Sequence, residues 1–428
     1  MTERILGGKP SGLIRIPASK SVSHRAAICA ALAGGEAAGA RAENLGVSED
    51  IAATVRGIEQ IVRAVRVDRA KNLSEGERAG AFRIDCGESG STLRFLIPIA
   101  AQIGGEWRFS GRGRLMERPQ DVYARLFPAH GAFFEQDAEG ILVRGPLPAG
   151  RYELPGDVSS QFISGLLFAL PLAAGDSEIV LTSPLESAGY AALTLQTMRA
   201  FGVAAEEIIG DKAGKVLGYS VGGGQRYRPA VYPVEGDWSQ AAFFLCAGAL
   251  GADIAVTGLS ADSAQGDRRV TEVIERMGAA VAWENGGTAV RAKAPAAGLP
   301  IGRAHQKITI DARDIPDIVP PLAALSCYAK GTTHFVSAGR LRIKESDRLH
   351  ALTEELSKLG ADVTEEADGL LVRGKESLDG ESVDAHGDHR IAMALAVAAI
   401  GCRGEVRLTG AESVAKSYPG FWNDFGGF

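Results

Sequence analysis

Residues 137–145 read DAEGILVRG and residues 366–374 read EADGLLVRG. Two nonapeptides so alike, 229 residues apart, mark an internal repeat. Each has acidic and small residues leading to a glycine and then a short apolar run, the pattern of a β-hairpin. A weaker copy, ENGGTAVRA, occupies 284–292.

Upstream of each hairpin lies a helix with one charged face, for example Arg269 to Met277 and Asp347 to Leu359. Gly131, Gly202, Gly278 and Gly360 stand where such helices should end, glycine being the residue that readily turns left-handed past a helix C-terminus. Further upstream are six segments apolar nearly all round, beginning near Ala26, Leu93, Phe162, Ala241, Ile318 and Ile391 and including AAICAALA and IAMALAVAAI. A helix apolar on every side is buried on most sides. Their starts are on average 73 residues apart, so six periods fill the 428-residue chain. Before each comes a short alternating or β-branched run: Leu13 to Ile16, Phe82 to Cys86, Tyr152 to Leu154, Val231 to Val234, Ile308 to Ile310 and Val383.

The repeating unit is therefore strand, buried helix, strand, amphipathic helix, two strands. Three units make a domain of ordinary size, so two domains account for the chain. The expected fold is α/β, with two similar domains, each of three βαβαββ repeats with buried parallel helices and outer sheets. A connector falls at 228–236.

Composition narrows the function. A chain 46% hydrophobic and 23% charged folds as a globular protein, and its net charge of −6 argues against a nucleic-acid or anionic-membrane partner. No apolar stretch reaches the ~20 residues of a membrane span, and Met1 to Gly12 lacks a signal-peptide core, so a cytoplasmic location is expected. Cysteines 29, 86, 246, 327 and 402 have no CxxC spacing and read as reduced structural thiols. No GxxxxGK loop, strand-linked GxGxxG or GxSxG elbow is present, and the His386 and His389 pair with Asp384 and Asp388 offers no third partner for a metal. Neither a metal nor another cofactor is expected.

Chemistry concentrates at the starts of the apolar helices, where unpaired N–H groups favour anions. The first three present Lys20, Ser21, Ser23, His24 and Arg25; then Ser89, Gly90, Ser91, Thr92 and Arg94; then Ser159, Ser160 and Gln161. The last three present Asp237, Ser239 and Gln240; then Asp314 and Asp317; then Asp388, His389 and Arg390. Any one Ser or Asp here is explained as a helix cap, and Asp237 and Asp388 need be nothing more. Lys20, Arg25, Arg94 and Arg390 are different, because the helix dipole repels a cation at this end and an anionic ligand would compensate. Three further basic clusters fit that idea: Arg112, Arg114 and Arg118 in GRGRLMERPQD; Arg340, Arg342, Lys344 and Arg348, with Glu345, in RLRIKESDR; and Lys416 in AKSYPG. Solvated charge explains each equally well when taken alone.

Taken together, SKSVSHRA (19–26), ESGSTLR (88–94), the ERP containing Arg118, VSSQF (158–162), EGD (235–237), IPD (315–317), KESDR (344–348), GDHRIAM (387–393) and AKSYP (415–419) resemble the enolpyruvyl transferases, and within them the branch that acts on shikimate 3-phosphate. The motifs occur in family order over essentially the whole chain. The resemblance implies transfer of the enolpyruvyl group of phosphoenolpyruvate to the 5-hydroxyl of shikimate 3-phosphate, with release of phosphate, on the route to chorismate and aromatic amino acids. It implies domains at 18–230 and at 1–17 plus 231–428, hinges near 17–19 and 228–236, and closure of the two on substrate. Shikimate 3-phosphate would be held by Lys20, Ser21, Arg25, Ser159, Ser160, Gln161, Ser187, Asp317 and Lys344. Phosphoenolpyruvate would be held by Lys20, Gly90, Arg118, Gln161, Arg348, Arg390 and Lys416. Asp317 would be the base at the acceptor hydroxyl and Glu345 the acid at the methylene carbon, with Lys20 and Lys416 stabilising charge or moving protons. A monomer is implied, and glyphosate as a competitor of phosphoenolpyruvate.

Two positions depart from the family pattern: Arg340 stands where many relatives have a substrate-contacting Asn, and ESGST replaces NAGTA while keeping the small Gly90. The sister branch acting on UDP-N-acetylglucosamine usually carries a cysteine where this chain has Gly113, and its first motif contains KNA. A non-catalytic ring-like clamp built from similar units would need a positive balance that −6 does not provide.

Overall fold

The computed structural model describes residues 2–71, 82–210, 215–295 and 307–426. The chain forms two compact units, residues 1–17 with 235–428 and residues 18–234. The second crossing thus lies at Val234/Glu235, and residues 231–234, expected with the C-terminal unit, lie with the N-terminal one. The reason is a strand pairing: Val231–Pro233 runs parallel to Arg41–Glu43.

Each complete repeat has one sheet pattern. Phe82–Asp85 and Glu106–Ser110 are parallel and are joined through the buried Gly90–Ile103 helix. Glu106–Ser110 then pairs antiparallel with Gly140–Arg144, which closes a hairpin with Phe133–Asp137. The same order recurs in Arg151–Leu154, Ser177–Leu181, Val216–Val221 and Glu206–Ile209, and again in Lys307–Asp311, Thr332–Val336, Gly369–Arg373 and Asp362–Glu366.

The duplicated nonapeptides are these hairpins, and packing explains their glycines. A Cβ on Gly140 would sit 2.1 Å from Phe109 O, and one on Gly369 2.1 Å from Phe335 O. Closing the motifs, Gly145 and Gly374 would meet Ala101 O at 2.2 Å and Ala329 O at 1.7 Å. In the weaker copy the ladder opens at Glu284↔Ala289 instead of over a two-residue turn, and Gly287 has open space around it.

Two expected strand assignments are exchanged. The run at Leu13 to Ile16 was expected to serve the first unit, but Ser11–Arg15 pairs parallel with Asp253–Thr257 in the fourth. The Val231 run, expected in the fourth, serves the first. Alternation identifies a strand but not its partner, and both strands precede a chain crossing. Glu3–Leu6 also joins the C-terminal unit, antiparallel to Val406–Thr409, which is parallel to Ser382–Asp384.

Each unit has its own core. In the C-terminal unit the Trp238–Ala249, Val319–Ser326 and His389–Ala399 helices pack on one another, and almost every residue in them is buried. In the N-terminal unit Gly165 of the Ser160–Ala169 helix lies against the Gly90–Ile103 helix, where a Cβ would meet Arg94 O at 2.4 Å. All five cysteines are unpaired, and Gly131, Gly202, Gly278 and Gly360 are left-handed. No described helix is long and apolar enough to cross a membrane.

Candidate active site

Five of the six helices begin earlier than their apolar runs. Lys20–Leu32 starts six residues before Ala26, so Ser21, His24 and Arg25 are inside the helix and not ahead of it. Helical turns made of Ser, His and Arg carry no apolar signal, which is why the sequence pattern misses them. The consequence for Arg25 is burial: its guanidinium donates to Thr194 Oγ1 at 2.8 Å, Tyr190 O at 2.9 Å, Ser164 Oγ at 3.3 Å and Ser21 O at 2.8 Å, beneath the Phe95 ring. Ser187, with a left-handed backbone, accepts Tyr190 N at 3.0 Å, so it stands one turn from that anchor.

Elsewhere in this unit, Arg94 donates to Gln161 Oε1 at 2.8 Å and stacks on Phe162, while Gln161 Nε2 donates to Ser91 Oγ at 2.8 Å. Burial and the nearby Arg118 push the Arg94 guanidinium down to about 10. Gly90 opens its helix directly under Arg118, where a Cβ would be 2.7 Å from Nη1. Lys20 pairs with Asp50, whose backbone carbonyl accepts from Thr54 and Thr92. A buried chain of hydroxyls then runs from His24 Nδ1 to Thr54 Oγ1 at 2.7 Å, on to Thr92 Oγ1 at 2.6 Å and to the cap Ser89 at 2.7 Å.

The C-terminal unit gathers its charges around Arg348, which is 1% exposed. Its Nε donates to Asp388 Oδ2 at 2.7 Å, Nη2 to Glu345 Oε2 at 2.7 Å and Nη1 to Asp317 Oδ1 at 3.1 Å. Arg390 donates to Asp317 O at 2.9 Å and Ser239 Oγ at 3.0 Å, and Lys344 Nζ lies 3.6 Å from Asp317 Oδ1. Asp388 is a helix cap, accepting from Arg390 N at 2.9 Å, and with the same carboxylate it holds Arg348 and Ser346. Asp237 caps its own helix through Ser239 N and Gln240 N.

These contacts set the protonation. Burial alone would raise the Asp317 carboxyl, but Arg390, Lys344 and Arg348 outweigh it and hold it below the ordinary carboxylate range. Glu345 and Asp388 are likewise lowered, with Arg348 overcoming their burial. Burial and the Asp317 charge push Asp267 up to about 8, while burial and Arg390 push His389 down to about 4. Nothing in QGDRR singles out Asp267, and Asp50 looks like an ordinary first-turn acid. Ser164 had a visible signal, a hydroxyl inside the apolar run FISGLLFAL.

A sequence model described as EPSP synthase (3-phosphoshikimate 1-carboxyvinyltransferase) matches residues 7–425. The chain belongs to the EPSP synthase family. A 3-phosphoshikimate 1-carboxyvinyltransferase of Clostridium beijerinckii is 42% identical, over 99% of this chain and 96% of the relative. Its counterpart from Clostridium perfringens is also 42% identical, over 98% and 96%. The solved EPSP synthase of Acinetobacter baumannii superposes with a TM-score of 0.79 at 26% identity, covering 99% of this chain and 98% of that one. The enolpyruvyl transferase NikO of Streptomyces tendae, at 19% identity and a TM-score of 0.70, shares the fold.

Within this EPSP synthase family member the family motifs divide into two sets. Asp317, Lys344, Glu345, Arg348 and Arg390 form one cluster. Lys416 is exposed at the end of the Ala411–Lys416 turn, and its neighbour Ser417 is tied to Gln240 at 3.2 Å. Gly90 with Arg118, and Gln161 with Arg94 and Ser91, form the core of the other set. Ser159 accepts Gln161 N as a cap, and Ser160 opens that helix. Two neighbouring arginines lie apart from these sets: Arg342 is held by Asp347 and Glu365, and Arg114 pairs with Glu117 on the surface. Arg340 is partly exposed in the Gly339–Ile343 turn.

Proposed function

We propose that this chain carries out the EPSP synthase reaction, transferring the enolpyruvyl group of phosphoenolpyruvate to the 5-hydroxyl of shikimate 3-phosphate, with the work divided as follows. Shikimate 3-phosphate is held by Lys20, Ser21, Arg25, Ser159, Ser160, Gln161 and Ser187, with Asp317 and Lys344 at its acceptor hydroxyl. Phosphoenolpyruvate is held by Lys20, Gly90, Arg118, Gln161, Arg348, Arg390 and Lys416. These residues are divided between the two units, so neither unit alone carries the reaction.

The observation that carries this reading is the carboxylate Asp317 held ionised by Arg390, Lys344 and Arg348. An ionised carboxylate at the acceptor hydroxyl can take its proton as the oxygen attacks C2 of phosphoenolpyruvate. The methylene carbon must then gain a proton, which Glu345 supplies, giving a tetrahedral intermediate. Expulsion of phosphate and return of a methyl proton restore the double bond. Glu345 is ionised while it pairs with Arg348. An anionic substrate group that takes over that edge of the guanidinium removes the charge holding Glu345 ionised, and so lets it take up the proton it must give. Lys20 and Lys416 neutralise the developing charge.

Phosphate release measured with both candidate acceptors tests the reading. Turnover is expected with shikimate 3-phosphate and not with UDP-N-acetylglucosamine; no turnover with either would refute it. Asp317→Ala should lower turnover by about 10² or more with the fold intact, and near-normal turnover would remove Asp317 from its assigned role. Glyphosate, an anion of similar reach, should compete with phosphoenolpyruvate. A monomer in the cytoplasm completes the proposal, small anionic metabolites and unpaired thiols both suiting that compartment.

A further inference from the structure

The Arg348–Lys358 helix holds the 384–390 turn at two points. At its start Arg348 grips Asp388. Two turns later comes Glu355, a carboxylate with no solvent exposure on a helix whose outer face is otherwise charged. Glu355 Oε2 accepts Asp384 N at 2.9 Å, and Oε1 binds His386 Nε2 at 2.7 Å and accepts Lys358 Nζ at 2.8 Å. Glu354, Glu355 and His386 have the spacing of a metal site, but the Lys358 ammonium already lies within 3.1 Å of both carboxylates.

The turn needs such a hold. His386 has a φ of +52°, unusual for a residue with a side chain, and it is followed by Gly387 at +65°. Backbone of this kind persists where its surroundings over-determine it. The Asp384 carboxylate accepts His386 N at 2.6 Å and Thr409 Oγ1 at 2.6 Å, and Glu355 takes the other side. Directly after the turn come Asp388 and Arg390. We propose that Glu355, through His386 and the Asp384 backbone, is a positioning residue that sets where Arg390, and Arg348 through its partner Asp388, present themselves to phosphoenolpyruvate. This rests on the assignment of Arg390 and Arg348 to that substrate.

The test is steady-state kinetics on the full chain, varying each substrate in turn, for Glu355→Ala, His386→Ala, the double variant and Glu355→Gln. Both alanine variants should raise KM for phosphoenolpyruvate about tenfold, leave KM for shikimate 3-phosphate within about twofold and change kcat less than about threefold. The double variant should be no worse than the more severe single one, since both cut one linkage. Glu355→Gln, which keeps an acceptor for Asp384 N, should recover most of the loss. Equal rises in both KM values, or activity that falls only with the folded fraction, would overturn the proposal. Should Glu355→Ala fail to fold, the more exposed His386→Ala carries the measurement. Arg390→Ala separates the two layers of the argument: an unchanged KM for phosphoenolpyruvate there overturns the site assignment itself and this inference with it. A large rise in Arg390→Ala beside normal values in Glu355→Ala and His386→Ala overturns the anchor alone.

Discussion

Replacing Arg348 with Met keeps most of the side-chain volume and removes the guanidinium that serves three carboxylates. Asp388 is fully buried, while Asp317 and Glu345 are mostly so. Breaking a buried ion pair from one side costs about 3–5 kcal/mol, because a charge is left without compensation. The stranded carboxylate can escape by taking a proton, which caps its cost. For an ordinary carboxylate of pKa near 3.9, that cap is about 4 kcal/mol at pH 7 and about 1 kcal/mol at pH 4.5. The sign follows from the variant, where a carboxylate stripped of its cation is raised above its unfolded pKa and penalises the folded state more as the pH climbs past that value. In the parent, by contrast, Asp317, Glu345 and Asp388 are lowered. Their contribution is complete above the unfolded carboxylate pKa and is lost as the pH falls through the folded one. Arg348→Met should therefore lose about 3–5 kcal/mol at pH 7 and only about 1–2 kcal/mol at pH 4.5 relative to the parent at the same pH. Urea unfolding followed by tryptophan fluorescence measures it, since Trp238, Trp283 and Trp422 all report on the unit that contains Arg348. An equal loss at both pH values would show that Arg348 acts by packing and not by charge.

Gly90→Ala should leave stability within about 1 kcal/mol, because the added methyl meets the movable end of Arg118, and should raise KM for phosphoenolpyruvate in the phosphate-release assay. Gly165→Ala meets backbone and the Tyr123 hydroxyl at 2.4 and 2.3 Å, so thermal unfolding should show a loss of about 1–3 kcal/mol or more. His24 is pushed down to about 3 by burial and by Lys20, so it stays neutral when folded while the unfolded chain takes a proton near pH 6.5. Its contribution is present above pH 6.5 and falls as the pH drops towards 3, by about 2 kcal/mol at pH 5. Urea titrations of the parent and of His24→Gln should differ in pH dependence by that amount.

Much of this protein is written locally. The six buried helices, the left-handed glycines that end the amphipathic helices and the two matched hairpins follow from apolar period and steric need, which act over a few residues. The identity of the charged motifs is local too, and it located Asp317, Lys344, Glu345, Arg348 and Arg390. Other features depend on residues far apart in the chain, and no local pattern encodes them. Ser11–Arg15 and Val231–Pro233 exchange sheets because a strand's alternation does not name its partner. The first turns of the helices are hidden because their side chains are polar, yet tertiary contacts bury Arg25 among hydroxyls and carbonyls. Asp50, Asp267 and Glu355 look like any surface acid. Only folding sets one against Lys20, one beside Asp317 and one under a strained turn, and the surrounding charges and lost water then fix what each can do.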